Sequence, residues 1–174
     1  DSALYYHKKV FHYFKGKDTL NIPSTYNNIG NTLLKQKKYK EAKRWLTTSL
    51  KISKMQSEGS TKVQDTRFFY QKATLFTNLA TIESELNNFS EAEKLFVKAH
   101  DFATKSMSAE KLRDLYEQRA KFFTKAKKYK HATEDHEKYI KLRDSVFDAK
   151  RAKTFAELEA KYQNEKKEKE LLQV

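Results

Sequence analysis

The chain has 174 residues, 34% of them charged, and its 36 Lys and Arg against 23 Asp and Glu leave a formal net charge of +13. With 3 Gly, 1 Pro and no Cys, it lacks the turn punctuation of a β-sandwich or barrel, the glycine-rich loop that cradles phosphate, and any disulfide or thiolate metal site. Its 10 Tyr and 12 Phe supply the buried area that a highly charged chain otherwise lacks, which points to a long, thin helical protein with a shallow core rather than a compact enzyme.

In chain order, Asp1-Ser-Ala3-Leu-Tyr-Tyr reads as the second helix of a pair without its first, a half-repeat over about 1–16. The charge-free stretch from Thr19 to Leu34 contains Pro23 and four Asn, so no membrane span and no signal peptide is expected in it. Pro23-Ser24-Thr25 is a helix start. A phrase then recurs: a helical run, a Lys- or Asn-rich break, an aromatic, and a second run opened by a marker alanine. It gives repeats at about 24–56, 68–105 and 110–143. The breaks end in Tyr39, Phe89 and Tyr129, which are expected to plug the turn within each pair. Gly30, Ala80 and Ala120 on first helices and Ala42, Ala92 and Ala132 on second helices are small where two helices must cross closely. Leu46, Leu50 and Ile52, like Leu95, Phe96 and Ala99, continue a helical stripe toward the next pair. Asn88 or Ser90 is expected to cap the second helix of the middle pair. The markers Ala3, Ala42, Ala92 and Ala132 are 39, 50 and 40 residues apart. The extra residues fall after the second helices, at Met55 to Arg67 and Thr104 to Arg113, which implies helices lengthened by one or more turns. From about 148 to 174 the chain is a charged helix or stalk, with Phe155, Leu158 and Tyr162 on one narrow apolar edge expected to dock its start.

Tyr26-x-x-Ile29-Gly30, Tyr39, Glu41-Ala42 and Ser49 carry a resemblance to the tetratricopeptide repeat family, covering about residues 1–145. Repeats of that family are usually ~34 residues. The resemblance implies an all-α solenoid of antiparallel helix pairs with right-handed superhelical stacking, and a role in binding without catalysis. Arg119 and His136 stand where the family has apolar residues. The Asp-Ser-x-Phe … Ala-Glu-Leu-x-x-Lys-Tyr … Glu-Lys-Lys-Glu-Lys-Glu tail is similar to that of bacterial membrane-anchored sensors. In those proteins an extracytoplasmic repeat region runs through such a helix into a membrane span, with a histidine kinase or transcriptional regulator beyond it. That resemblance implies a sensor or scaffold region of a larger signalling protein, periplasmic in location, membrane-anchored in full length, with an effector domain past the C-terminus. A cytoplasmic adaptor or a helical-repeat regulatory protein is the alternative.

No catalytic constellation stands out. His7/His12 and His131/His136 are five apart and point off a common helix face; His131 and Asp135 share a face but have no evident third ligand. Neither metal nor cofactor is expected. Lys35, Lys37, Lys38, Lys40, Lys43 and Arg44 crowd one turn and Lys125, Lys127, Lys128, Lys130 and His131 another, but Glu83, Glu85 and Glu91 interrupt the edge between them. Nucleic acid is therefore not the expected partner. The family binds through the concave face of its first helices, which here carries Asn27, Asn31, Leu34, Thr77, Asn78, Thr81 and Lys121, with a protein or peptide as the expected ligand. Some members hold a C-terminal carboxylate there with Lys, Asn and Arg. Asn31 and Asn78 match that pattern, while Asn27, Asp114 and Gln118 occupy the cationic positions.

Overall fold

A computed structural model describes residues 22–58 and 66–171, together with Tyr5 and Lys9. The half-repeat read over 1–16, with His7 and His12, otherwise lies outside the described residues. From residue 22 on, the described residues form six helices in order: α1 (Ile22–Lys35), α2 (Tyr39–Glu58), α3 (Thr66–Glu85), α4 (Phe89–Lys105), α5 (Ala109–Lys125) and α6 (Tyr129–Leu171). Among the described residues there is no strand. The fold is an all-α solenoid of three antiparallel pairs, α1–α2, α3–α4 and α5–α6, in which α3 also neighbours α1 on one side and α5 on the other.

The close crossings fall where the small residues stand. Ala42, Ala80 and Ala92 are fully buried, and Ala120 and Ala132 nearly so. At Gly30 a Cβ would come within 2.5 Å of the Cγ and Cδ2 of Leu46, itself fully buried. The helices therefore touch almost backbone to side chain, and no larger residue fits without displacing the Leu46 side chain. Aromatic rings fill the space between elements. Tyr26 meets Trp45 at 5.1 Å between α1 and α2, Phe76 stacks on Phe102 at 5.4 Å between α3 and α4, and Phe96 meets Phe122 at 5.2 Å between α4 and α5.

Four three-residue turns join the helices and share one geometry. Each has a left-handed residue at its centre: Lys37 (φ 59°), Asn87 (φ 62°), Met107 (φ 53°) and Lys127 (φ 60°). In three of them the turn residue donates to the carbonyl three back and its successor donates to the carbonyl five back: Lys37 to Leu34 and Lys38 to Leu33, Asn87 to Ser84 and Asn88 to Glu83, Lys127 to Thr124 and Lys128 to Phe123. This is the Schellman closure of a helix C-terminus.

Several expectations change. The residues added near 104–113 do not lengthen α4 alone: α4 and α5 are 17 residues each, against 14 in α1. Asn88 stands at the N-cap of α4 but makes no side-chain cap; its Nδ2 donates to Glu83 Oε2 at 2.8 Å instead. Ser90 is already helical. The cap that does form is Ser108, whose Oγ accepts from the Lys111 N–H at 3.3 Å. Tyr39 and Phe89 pack on the core, but Tyr129 is 62% exposed. The first two are covered by the following pair, Phe89 by Phe122 of α5, and among the described residues no pair follows the third. The segment from 148 is not a separate element, since α6 runs unbroken to Leu171. Among the described residues its apolar edge is not docked: Phe155 is 70% and Leu158 60% exposed.

Candidate peptide-binding groove

Helices α1, α3 and α5 line a groove of about 640 Å³. Six of the seven residues expected on the concave face meet there: Asn31 and Leu34 from α1, Thr77, Asn78 and Thr81 from α3, and Lys121 from α5. They converge because they recur on one face of each first helix and the three helices lie side by side. Asn27, the seventh, faces a neighbouring pocket instead. Lys37, Tyr39, Glu85 and Lys111 also line the groove. The first three flank the turns within pairs, and the concave-face pattern alone does not include them.

The polar groups differ in what they have left to offer. Thr81 Oγ1 donates to the Thr77 carbonyl at 2.9 Å and Thr74 Oγ1 to that of Tyr70 at 3.0 Å. These hydroxyls have spent their donor on the preceding turn and face the groove as acceptors. Asn78 is different: its Nδ2 is enclosed by the groove wall and has no hydrogen-bond partner. An enclosed donor left unpaired costs about 1–3 kcal/mol. Lys121 pairs with Glu117 at 2.6 Å and Lys111 with Asp114 at 3.4 Å, whereas Lys35 and Lys37 have no carboxylate partner among the described residues. Around the cleft, four lysines face Glu85, Asp114 and Glu117. That is a nearly balanced, polar surface, suited to a peptide backbone more than to a polyanion. Burial, and then the Glu85 carboxylate beside it, raise the pKa of Tyr39 above that of a free phenol, so its hydroxyl is a neutral donor at the groove edge.

Two of the acids that interrupt the basic edge, Glu83 and Glu85, have partners from neighbouring pairs. Glu83 is buried on α3 and pairs with Lys43 of α2 at 2.6 Å. Lys125 of α5 donates to the Ser84 carbonyl at 2.9 Å and meets Glu85 at 3.4 Å, and Lys128 meets Glu93 at 2.7 Å. Lys43, Lys125 and Lys128 thus stitch one pair to the next.

Arg119 forks onto Asp135 at 2.5 and 2.8 Å between α5 and α6. His100 Nε2 lies 3.2 Å from the Tyr116 hydroxyl, and burial, then the Arg119 charge, pull its pKa below the ordinary imidazole value. His131 packs on Phe123 and His136 on Tyr139. Among the described residues no group of three His, Asp or Glu is placed to hold a metal ion, and no helix is long and apolar enough to cross a membrane.

The tetratricopeptide repeat family model matches residues 24–55 and 73–109, which cover most of the pairs α1–α2 and α3–α4 and reach the first residue of α5. No curated protein and no solved structure matches the chain. Pair α5–α6 lies outside the matched segments, yet it repeats their turn closure and their buried alanines.

Proposed function

We propose that this chain is a protein-interaction module without catalytic activity, which holds an extended peptide segment of a partner protein in the groove of α1, α3 and α5. The match to the tetratricopeptide repeat supports the class of function, since such repeats serve protein–protein binding. The observation that carries the site is the Asn78 amide, unpartnered among the described residues, on the wall of a groove lined by amides, hydroxyls and charges of both signs. A peptide backbone offers carbonyls to Asn78 and N–H groups to the threonine oxygens without demanding one side-chain sequence.

Within this reading the chain is the sensor or scaffold region of a larger bacterial signalling protein, of the two-component or transcriptional-regulator kind. It would be periplasmic and anchored through a segment beyond the tail, with an effector domain past it. The resemblance of the tail supports this, and a ligand-stiffened stack would act on the effector through α6, which joins the third pair to the tail as one helix.

The test of the site is selection from a displayed library of random peptides on the immobilised chain, followed by binding to an Asn31→Ala, Asn78→Ala variant. Selected peptides are expected to bind the parent and to lose at least tenfold in affinity for the variant, with its melting temperature unchanged. Peptides that bind the variant as well as the parent would refute the groove. For location, the chain's full-length gene fused to an alkaline phosphatase that works only outside the cytoplasm should give active enzyme; an inactive fusion removes the periplasmic assignment.

A further inference from the structure

A second cavity, about 300 Å³, opens beside the groove between α1, α2 and α3, and Thr74 and Lys111 line both. Its wall includes Lys72, a residue only 7% exposed. Every other well-buried charge described above has an opposite charge beside it: Glu83 has Lys43, and Asp135 has Arg119. Lys72 has none. Its ammonium makes no ion pair and no hydrogen bond among the described residues, and sits over the Phe68 ring, 5.4 Å from the centroid. A cation–π contact offsets only part of what a buried ammonium loses in hydration, and burial accordingly lowers the Lys72 pKa. Asn27 contributes a second unmet group, an Oδ1 that is buried without a donor. Lys111 adds a positive charge at the rim: its Nζ lies 4.4 Å from the Tyr70 ring centroid and is only loosely held by Asp114 at 3.4 Å.

An unpaired cation and an unpaired carbonyl in one small cavity specify a ligand with complementary parts. The cation asks for an anion, and the carbonyl asks for an N–H. A phosphate would bring the first without the second and would set its own charge against the Asn27 oxygen. A nucleotide or other drug-sized molecule exceeds a cavity at the low end of ligand-pocket volumes. An acidic amino-acid residue fits all three conditions, with a carboxylate for Lys72 and an amide N–H for Asn27. We propose that this pocket binds the side-chain carboxylate of an acidic residue, with Lys72 as its counter-ion and Asn27 as acceptor for the adjacent amide. Because the pocket shares Thr74 and Lys111 with the groove, the residue belongs to the peptide lying in it. That last step rests on the groove being a peptide site; the recognition of the carboxylate by Lys72 does not.

The experiment is a titration of the isotope-labelled 174-residue chain, followed by amide chemical shifts. Four probes are used: N-acetyl-glutamate, N-acetyl-glutamine, inorganic phosphate, and the end-blocked tripeptide Ala-Glu-Ala. N-acetyl-glutamate is expected to saturate at a Kd of about 1 mM, moving the amides of Asn27, Phe68 and Lys72. The glutamine analogue and phosphate should bind at least tenfold more weakly, and the tripeptide about tenfold more tightly. Lys72→Met should lose the N-acetyl-glutamate response while melting no lower than the parent, since it removes an uncompensated buried charge. If Lys72→Met does not fold, Lys72→Gln is expected to lose the response in the same way. Equal binding of glutamate and glutamine analogues, equal binding of phosphate, or an unchanged response in the Lys72 variant overturns the carboxylate site. A free residue that binds as tightly as the tripeptide overturns the peptide as its source and leaves the Lys72 site standing. Tripeptide shifts confined to Asn31, Asn78 and Lys121 overturn the pocket while the groove stands.

Discussion

Three of the four turn residues in the left-handed region are neither Gly nor Asn, and each of the three carries a strain that a glycine would not. At Lys127 (φ 60°) the Cβ crowds the following carbonyl, a conformation that costs an L-residue roughly 1–2 kcal/mol, and a glycine adopts it freely. Lys127 is exposed and makes no ion pair among the described residues, so nothing is lost with its side chain. Lys127→Gly is therefore expected to stabilise the chain by about 1 kcal/mol after the glycine's extra freedom in the unfolded state is counted. Thermal unfolding should show a rise of about 2–4 °C, and Asn87→Gly a smaller one, because Asn tolerates this conformation. The left-handed centres are hidden in the sequence for the same reason: Lys at the turn advertises a polar break, not a positive φ. The Ser108 cap is more legible, since a serine followed two residues on by Glu110 is a helix-start signal. The long spacing between marker alanines competes with that signal, because it fits a lengthened helix over 104–113 equally well. Gly30, by contrast, is legible from its spacing to Ala42, and the 2.5 Å approach of Leu46 explains why it is glycine.

At the scale of elements, the third pair is held differently from the other two. The Arg119–Asp135 fork occupies a site between α5 and α6 where apolar packing would serve, with side chains 16% and 3% exposed. Removing one partner leaves the other charge buried and unpaired, whereas replacing both with apolar groups removes the desolvation cost along with the attraction. Asp135→Ala is expected to cost about 3–5 kcal/mol. The double variant Arg119→Leu, Asp135→Leu should stay within about 1 kcal/mol of the parent or exceed it. Chemical denaturation of the two variants checks this; a double variant as unstable as Asp135→Ala would mean that the pair contributes more than it costs. The sequence marks Arg119 as out of place but not what it meets, because Asp135 lies 16 residues away and His131, one helical turn before it, is the nearer candidate. The two helices bring Arg119 and Asp135 together only once the turn at Lys127 is closed. The candidate groove is legible to a similar degree. Periodicity places Asn31, Thr77, Asn78 and Lys121 on one surface, but that Asn78 is unpartnered while Thr81 is satisfied follows from hydrogen bonds within and across helices, which no spacing encodes.

The whole molecule divides by charge as well as by packing. Between pairs, lysines and glutamates are spent on one another, as in Lys43–Glu83, Lys125–Glu85 and Lys128–Glu93, so the stack is held by both an aromatic core and these stitches. Along α6 the situation reverses. Every described side chain from Phe147 onward is exposed, and charges there meet at most neighbours on the same helix, as Lys153 meets Glu157 at 3.9 Å. Such exposed pairs contribute about 0–1 kcal/mol, and an isolated helix has little stability of its own without tertiary packing. The stretch from Phe147 to Leu171 would reach ~37 Å at helical rise while giving the stack nothing in return. Deleting residues 149–174 is accordingly expected to move the melting temperature by less than about 4 °C, the most that 1 kcal/mol shifts a domain of this size. The fall in circular dichroism should match the removed helix alone. If the deletion lowers the melting temperature by ten degrees or more, the apolar edge of Phe155, Leu158 and Tyr162 is covered in solution, and the free-standing helix gives way to a docked one. If it does not, α6 is rooted in the third pair through α5 and free of packing along its outer half.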